Sequence, residues 1–319
     1  MLGRVQPQKS FGDEALELHV SDSHFLVKVA GLVDWTAFDG YWPRLYGTTG
    51  KPSSDPLVCF KMLLLEQWYG LSDPECEAQC ADRLSFRRFL GLSLSDTIPD
   101  ETVLVRFRKR LIKAGIAEAL FAAVLAQVEA AGVMIKRGTL VDATIVRSAR
   151  KAPVKGEDGA ATGGDPQASW AVKNGKAIAH GFKAHIAVDA GSEIVRAIET
   201  TTGSTHDSTP ADRLIEQAPA KAVYADAAYC EAERRKKLRS QGIVPRIRFN
   251  PRSGELTSRQ RALNIQWAKV RAAVEHVFGD WKERRSLGRC RYVGLKKNAL
   301  HFTLLAMAHN LRRWSVLAA

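Results

Sequence analysis

Three carboxylates in this chain stand where local pattern gives at least one of them no ordinary use. Asp142 lies in the middle of Thr139-Leu140-Val141-Asp142-Ala143-Thr144-Ile145-Val146. The length and β-branched content of that run predict a strand buried on both faces. An ionised Asp there is costly unless something pairs with it, and a metal ion is the commonest remedy. Asp226 ends a second short apolar run, Ala222-Val223-Tyr224-Ala225. Glu275 falls beside the stripe Leu263, Trp267, Val270, Val274, Phe278 and Trp281, whose alternating spacing of threes and fours predicts a long helix from near Thr257. At about 100° per residue, Arg271 to Glu275 turns by about 40° and Glu275 to Lys282 by about −20°, so the three share one helix face. Carboxylates from separate elements, with basic residues beside them, suit two-magnesium phosphoryl transfer. Mg²⁺ takes hard oxygen ligands, and two ions about 4 Å apart serve the attacking and leaving oxygens. Taken singly, Asp226 also reads as a strand-end cap and Glu275 as a surface ion pair with Arg271. Asp142 has few such alternatives.

The elements that must position these acids follow Gly138 in the order strand, strand, strand, helix, strand, helix, strand, helix. Strands are predicted at Lys183–Asp189 and Ile194–Glu199, joined by the turn Ala190-Gly191-Ser192 and capped by Asp189. Helices are expected at Thr209–Gln217, with His206-Asp207 as its N-cap, and at Glu231–Arg239; a strand is expected at Ile243–Ile247. Lys183 and His185 alternate onto one face, within reach of phosphate or metal. Residues 147–179, rich in Gly, Ala and Lys, read as a flexible insertion.

Before Gly138 the chain reads as helical. Asp55-Pro56 opens a helix ending at Gly70; Ser72-Asp73-Pro74-Glu75 forms a capping box opening a second, expected to run to Phe89. Pro99-Asp100 opens a third with a stripe of Val103, Phe107 and Leu111, and Ala117–Ala131 forms a fourth, stopped by Gly132. On the third, Arg106, Arg110 and Lys113 share one face. That face is either the solvated side of a bundle helix or a DNA-contacting surface of a helix-turn-helix-like unit. The Phe25–Val33 stretch is compatible with helix or strand. The division is thus an N-terminal segment at 1–50, a helical domain at 51–133, and an α/β domain at 134–319.

With 47 Lys and Arg against 34 Asp and Glu, the 319-residue chain carries a net charge of +13, which points to a polyanionic partner. The dense basic residues Arg234, Arg235, Lys236, Lys237, Arg239, Arg284, Arg285, Arg289, Arg291, Lys296 and Lys297 read as a surface that tracks a DNA backbone. No apolar run is long enough for a transmembrane helix, and the first residues lack the pattern of a signal peptide. Five scattered cysteines support neither a zinc site nor a disulfide framework, so reduced thiols and a cytoplasmic setting are expected.

The segments also resemble a known family. Gly138-Thr139-Leu140-Val141-Asp142-Ala143-Thr144, His180-Gly181-Phe182-Lys183-Ala184-His185-Ile186-Ala187-Val188-Asp189, Tyr224-Ala225-Asp226-Ala227-Ala228-Tyr229 and Lys269-Val270-Arg271-Ala272-Ala273-Val274-Glu275-His276 are similar to motifs of bacterial DDE transposases of the insertion-sequence-five group. Arg271, Glu275 and Lys282 match the Tyr, Arg, Glu, Lys signature of the related insertion-sequence-four group; Ala268 stands where that signature has Tyr. The stretch from Lys51 to Leu111 also resembles the N-terminal domain of this group.

The resemblance implies an RNase H-like mixed-sheet α/β catalytic domain preceded by an all-α domain for end binding and assembly. It implies Asp142, Asp226 and Glu275 as catalytic residues and ligands of Mg²⁺, with Mn²⁺ as a substitute. Arg271, Lys282, Lys183, Arg106, Arg110, Lys113, Arg284 and Arg285 are the candidate DNA contacts. The implied reaction is cleavage at the terminal inverted repeats of a mobile element, then 3′-hydroxyl strand transfer into target DNA, by a nucleoid-associated bacterial protein that forms a homodimer on double-stranded DNA. Two alternatives remain: an RNase H-fold nuclease without strand transfer, and a DNA-binding regulator descended from a transposase.

Overall fold

Residues 2–3, 18–50, 52–155, 161–173, 175–250 and 254–318 are described by a computed structural model. Gly156 and Gly159 of the expected flexible insertion, Lys51 at the start of the helical region, and most of the first seven residues lie outside the described residues. The chain divides into two compact units, Met1–Ala131 with Thr303–Ala319, and Gly132–Phe302.

In the first unit, local capping chemistry sets most helix ends. The Phe25–Val33 stretch is a helix, α1 (Phe25–Leu32), followed by 3-10 turns at Trp35–Leu45. Helix α2 (Pro56–Tyr69) starts where Asp55 Oδ1 accepts from Leu57 N at 2.8 Å, and it ends at Gly70, whose φ of +67° suits a residue without Cβ. Its sides are almost wholly buried, as expected of a helix apolar all round. The Ser72–Glu75 capping box opens α3 (Asp73–Asp82).

The single helix expected from Ser72 to Phe89 is in fact two. Arg83 adopts extended backbone, and α4 (Leu84–Leu90) follows. Buried Arg87 satisfies the break, donating to Ala81 O at 3.2 Å and to Ser93 O at 2.7 Å. Carbonyls orphaned by a helix end need such partners. Asp100 caps α5 (Glu101–Ala114), accepting from Val103 N at 2.9 Å, and α6 (Ala117–Ala130) follows Gly115. On α5 the buried stripe is Leu104, Phe107 and Leu111; Val103 is only half-buried.

The second unit is built on a mixed sheet. Its strands are β1 (Thr139–Arg147), β4 (Ser169–Lys173), β5 (Lys176–Asp189), β6 (Val195–Thr202), β7 (Ala222–Ala225) and β8 (Val244–Ile247). A two-stranded ribbon, β2 (Val154–Lys155) with β3 (Ala161–Thr162), stands apart. The main order is β6-β5-β1-β7-β8, with β4 pairing the first half of β5 on the edge that β6 takes further on. The described part of 147–179 therefore contains β4 and the start of β5, and the expectation of a wholly flexible insertion is corrected. Alternation there was masked by small residues, and a register shift interrupts the ladder between Ala171 and Val172. Gly181 explains the close strand crossing: a Cβ there would meet Val146 O at 2.0 Å. Asp189 caps the β5–β6 turn as expected, accepting from Lys136 N at 2.8 Å and Ser192 Oγ at 2.8 Å.

Helices α7 (Ala211–Gln217) and α8 (Ala232–Ser240) flank β7 in sequence, and α9 (Ser258–Arg284) follows β8. A Thr257–Gln260 capping box starts α9. Asn264 then latches it to the loop after β8: Phe249 N donates to Asn264 Oδ1 at 2.9 Å, and Asn264 Nδ2 donates to Phe249 O at 3.2 Å. The rings of Phe249 and Trp267 stack at 5.5 Å. This latch fixes the rotation of α9 about two turns before Arg271. Helix α10 (Leu295–Leu317) begins in the second unit and, from Thr303 onward, groups with the first; there the Trp68 indole donates to Ala308 O at 2.7 Å.

Candidate active site

Sheet register brings the first two acids together. β1 and β7 run parallel with Val141 opposite Ala225, so the next residues on each strand, Asp142 and Asp226, are neighbours. The β7–β8 pairing continues the row, setting Ile247 beside Ala225 and Arg248 beside Asp226. Arg248 Nη1 lies 3.2 Å from Asp226 Oδ1. From α9, Arg271 reaches between the two aspartates, 2.9 Å from Asp142 Oδ2 and 3.6 Å from Asp226 Oδ1. Asp142 is not fully enclosed, since 21% of its side chain is exposed. Burial nevertheless raises the pKa of its carboxyl; Arg271 and the Ala143 amide oppose the rise, and Asp226 and Asp207 add to it.

The cleft at this point has a volume of about 560 Å³ and is lined in part by Asp142, Lys183, His206, Asp207, Asp226 and Asn250. Lys183 donates to Asp207 Oδ1 and to Thr205 O, both at 2.7 Å. His185 is buried under the sheet, its Nε2 2.8 Å from Thr201 Oγ1, and burial lowers its pKa to about 4. It is a neutral support rather than a phosphate contact. The Tyr229 hydroxyl is buried with no hydrogen-bond partner among the described residues; burial, then the Asp142 and Asp207 charges, raises its pKa well above the ordinary value.

The third acid stands differently. Glu275 is exposed on α9, and no hydrogen bond or ion pair among the described residues ties it to either aspartate. Arg271, one turn earlier, holds the inward position. Two facing carboxylates recruit the cation offered by that helix, whereas a third carboxylate is better solvated outside. The surface Arg271–Glu275 ion pair considered from sequence is replaced by the Arg271 bridge. Among the described residues, no three His, Cys, Asp or Glu side chains converge as a ready metal cluster. The carboxylates lining the cleft, Asp142, Asp226 and Asp207, offer hard oxygen donors alongside Lys183 and His206, and the desolvated Asp142 carboxylate is a group that a divalent cation relieves. The residues fit Mg²⁺.

Other sequence candidates divide sharply. Arg106 and Lys113 are exposed on α5, while Arg110 is half-buried with its guanidinium 4.5 Å from the Tyr46 ring centroid. Lys282 and Arg284 are exposed near the end of α9. Arg285 is not available to DNA: it is buried and 2.7 Å from Asp280 Oδ2. In the α8 run, Arg234 is likewise buried against Asp212 at 2.7 Å, and Lys237 pairs with Glu216 at 2.8 Å. Within that run Arg234 and Arg235 brace other elements, whereas Lys236, Lys237 and Arg239 are exposed. Charge density along the sequence did not reveal the acids that neutralise it from other elements.

Sequence reasoning missed Arg248 and Tyr229, and for His206-Asp207 it set the N-cap reading ahead of the family resemblance, which has a similar pair near the active site. His206-Asp207 was read as a helix N-cap, but α7 starts only at Ala211, and Asp207 faces the cleft with Lys183. Three residues, Ser208, Thr209 and Pro210, separate Asp207 from Ala211, and a cap that far from the helix cannot reach its first amides. The five cysteines are all free, and Cys59 and Cys290, buried, have pKa values pushed up to about 12.

A sheet with three antiparallel strands, two parallel ones beyond the first, and aspartates side by side on β1 and just after β7 is an RNase H-like fold. Residues 134–311 match the family described as Transposase DDE domain, and residues 14–110 match Transposase domain (DUF772). The chain belongs to the DDE transposases. Among solved structures, a piggyBac transposase synaptic complex with hairpin DNA resembles it with a TM-score of 0.45 and 9% identity, covering 96% of this chain and 75% of that one. No single helix among the described residues is long and apolar enough to cross a membrane.

Proposed function

We propose that the chain is a DNA transposase that cuts transposon ends and joins the freed 3′-hydroxyl to target DNA. The observation that carries this reading is the β1–β7 register, which sets Asp142 beside Asp226 in an open cleft with Arg271 between them. Asp142 and Asp226, with Glu275 from α9, are the residues that would hold Mg²⁺. When bound, the metal would supply a Lewis acid for the scissile phosphate and its attacking oxygen. In cleavage a water oxygen bonds to phosphorus, the bond from phosphorus to O3′ breaks, and the 3′-oxygen leaves as a hydroxyl. In joining, that hydroxyl loses its proton and bonds to a target phosphorus, expelling a target 3′-oxygen.

Arg271 holds charge at the acids and offers donors to a DNA phosphate. For Glu275 to act as the third ligand it must take the place Arg271 now holds against Asp142. Binding of terminal inverted repeats, pairing of two copies on DNA, a nucleoid location and membership of the insertion-sequence-five group belong to the same reading. The helical unit, through Arg106, Arg110 and Lys113, is the candidate surface for end recognition.

The test is Glu275→Gln in full-length protein, assayed with a supercoiled plasmid carrying the element's ends, with and without Mg²⁺. Cleavage and joining should disappear while DNA affinity stays within a few-fold. Retained cleavage, or loss of binding, sinks the assignment. Cleavage without joined product in the unaltered protein favours a nuclease, and binding without either favours a regulator.

A further inference from the structure

We propose that Tyr229 is a positioning residue for the reaction: once Arg271 leaves Asp142 for a DNA phosphate, the Tyr229 hydroxyl donates to the oxygen given up and keeps that carboxylate aimed into the cleft; this rests on the transposase reading above. Tyr229 closes the 3-10 turn Ala227–Tyr229 directly after Asp226, its amide donating to Asp226 O at 3.0 Å. Ala227 and Ala228 line the cleft, and Tyr229 lies behind them, 2% exposed. Its ring belongs to the core cluster of Val141, Leu214, Val223, Ala225, Leu238 and Ile247. Val141 and Ala225 are the residues that precede Asp142 and Asp226, so the ring packs under both acids. Buried Arg234 fixes the backbone here, donating to Tyr229 O at 2.9 Å and to Ser208 O at 3.0 Å.

The hydroxyl does nothing for that packing. It is buried with no hydrogen-bond partner among the described residues. A phenylalanine would fill the same apolar space without an unpaired donor, so the hydroxyl carries a desolvation cost that the core does not require. The Nε atoms of Arg248 and Arg271 are likewise buried with no partner among the described residues. Buried polar groups are paired in the great majority of cases. Three unpaired groups around one pair of aspartates point to a second arrangement of the site in which they are used.

Asp142 is the acceptor that fits. After burial itself, its charge acts on the Tyr229 hydroxyl more strongly than those of Asp207, Arg271 and Asp226. In the present arrangement Asp142 Oδ1 accepts from the Ala143 amide and Oδ2 from Arg271 Nη2, each at 2.9 Å. When Arg271 passes to a phosphate, Oδ2 loses its donor in surroundings where an unpaired carboxylate oxygen is costly. The Tyr229 hydroxyl is a donor lacking an acceptor, and one bond between the two removes both deficits. It also restrains rotation of the carboxylate, as a hydrogen bond to the far side of a cation-holding group does.

The experiment introduces Tyr229→Phe into two backgrounds of the full-length protein, unaltered and Arg271→Ala. Melted without divalent cation, Tyr229→Phe should raise Tm in the first background by about 2 °C, because an unpaired hydroxyl is removed. In Arg271→Ala the same change should lower Tm by about 2 °C, because there the hydroxyl already has Asp142 as its acceptor. The single variant should also lose about tenfold in Mn²⁺ affinity by calorimetry, since the cation and Arg271 compete for the same carboxylate. Its kcat for nicking supercoiled plasmid that carries the ends should fall by about tenfold, with KM for DNA within about twofold. These two measurements need no second substitution, so they decide even where Arg271→Ala fails to fold. A fall in Tm in the first background, the same sign in both backgrounds, or unchanged Mn²⁺ affinity overturns the proposal. The expected melting shifts and Mn²⁺ loss in a protein that neither binds nor nicks the ends support the pairing and overturn the transposase reading instead.

Discussion

At the residue scale, the unusual member of the site is Arg271 rather than any of the acids. Its guanidinium is buried, within 2.9 Å of Asp142 and 3.6 Å of Asp226, and it neutralises a pair of carboxylates that would otherwise repel at close range. Arg271→Ala therefore removes a competitor for the acids as well as a phosphate donor. Divalent-cation affinity, measured by calorimetry, should hold or rise, while affinity for the terminal repeat falls by about tenfold, the loss expected for one charge-assisted contact. Activity equal to that of the unaltered protein would remove Arg271 from the site. Glu275 and Arg271 lie one turn apart, so helical periodicity rightly put them near one face. Which side chain turns inward depended on the two aspartates waiting there.

At the element scale, α9 is positioned by its first turns, well before the site. Asn264 makes two hydrogen bonds to the Phe249 backbone and is buried, so Asn264→Ala leaves a donor and an acceptor unsatisfied. We expect a stability loss of about 1–3 kcal/mol by urea denaturation. The turnover number should fall more than DNA affinity does, because Arg271 and Glu275 shift although neither is altered. An effect on binding alone would mean that the latch does not set the site.

Helix α2 carries a different burden. Lys61 is buried in it, donating to Phe89 O at 3.0 Å and lying 4.5 Å from the Trp35 ring centroid, and burial lowers its pKa to about 8. The unfolded chain, with an ordinary lysine pKa near about 10.4, binds more protons than the folded one between these values. Stability linked to Lys61 must accordingly rise as pH climbs from about 8 to about 10.4, and the penalty is fully present below that window. Lys61→Met should raise the melting temperature at pH 7, with a gain that shrinks towards pH 10. A gain independent of pH would show that packing, not desolvated charge, is responsible.

At the scale of the whole molecule, net charge sets how DNA is approached but not which residues touch it. The +13 balance predicts steep salt dependence, with log affinity falling linearly against log salt. Titrations from low to physiological salt should give a slope of several units, reduced by about one for Lys282→Ala and unchanged for Arg285→Ala, which instead should lower the melting temperature. A slope near zero would place affinity in uncharged contacts rather than in the exposed Lys and Arg side chains.

Much of this architecture is legible in the sequence because it is local. Caps at Asp55, Ser72, Asp100 and Thr257 act within three residues, glycines such as Gly70 end helices by their own backbone freedom, and the apolar runs around Asp142 and before Asp226 declare buried strands. The motifs around Asp142, Asp226 and Glu275 pointed to the family. What they could not state was spatial: that β1 and β7 register at Val141 and Ala225, that Arg271 rather than Glu275 faces the aspartates, or that Asp207, paired with Lys183, lines the same cleft. The same limit hid β4 with its exposed Trp170, and it hid Asp212, the acid that pairs with buried Arg234 from another helix. Helix and strand period reports which way a side chain faces on its own element. Charge pairing and site geometry depend on partners many residues away, and only packing of the tertiary structure selects them.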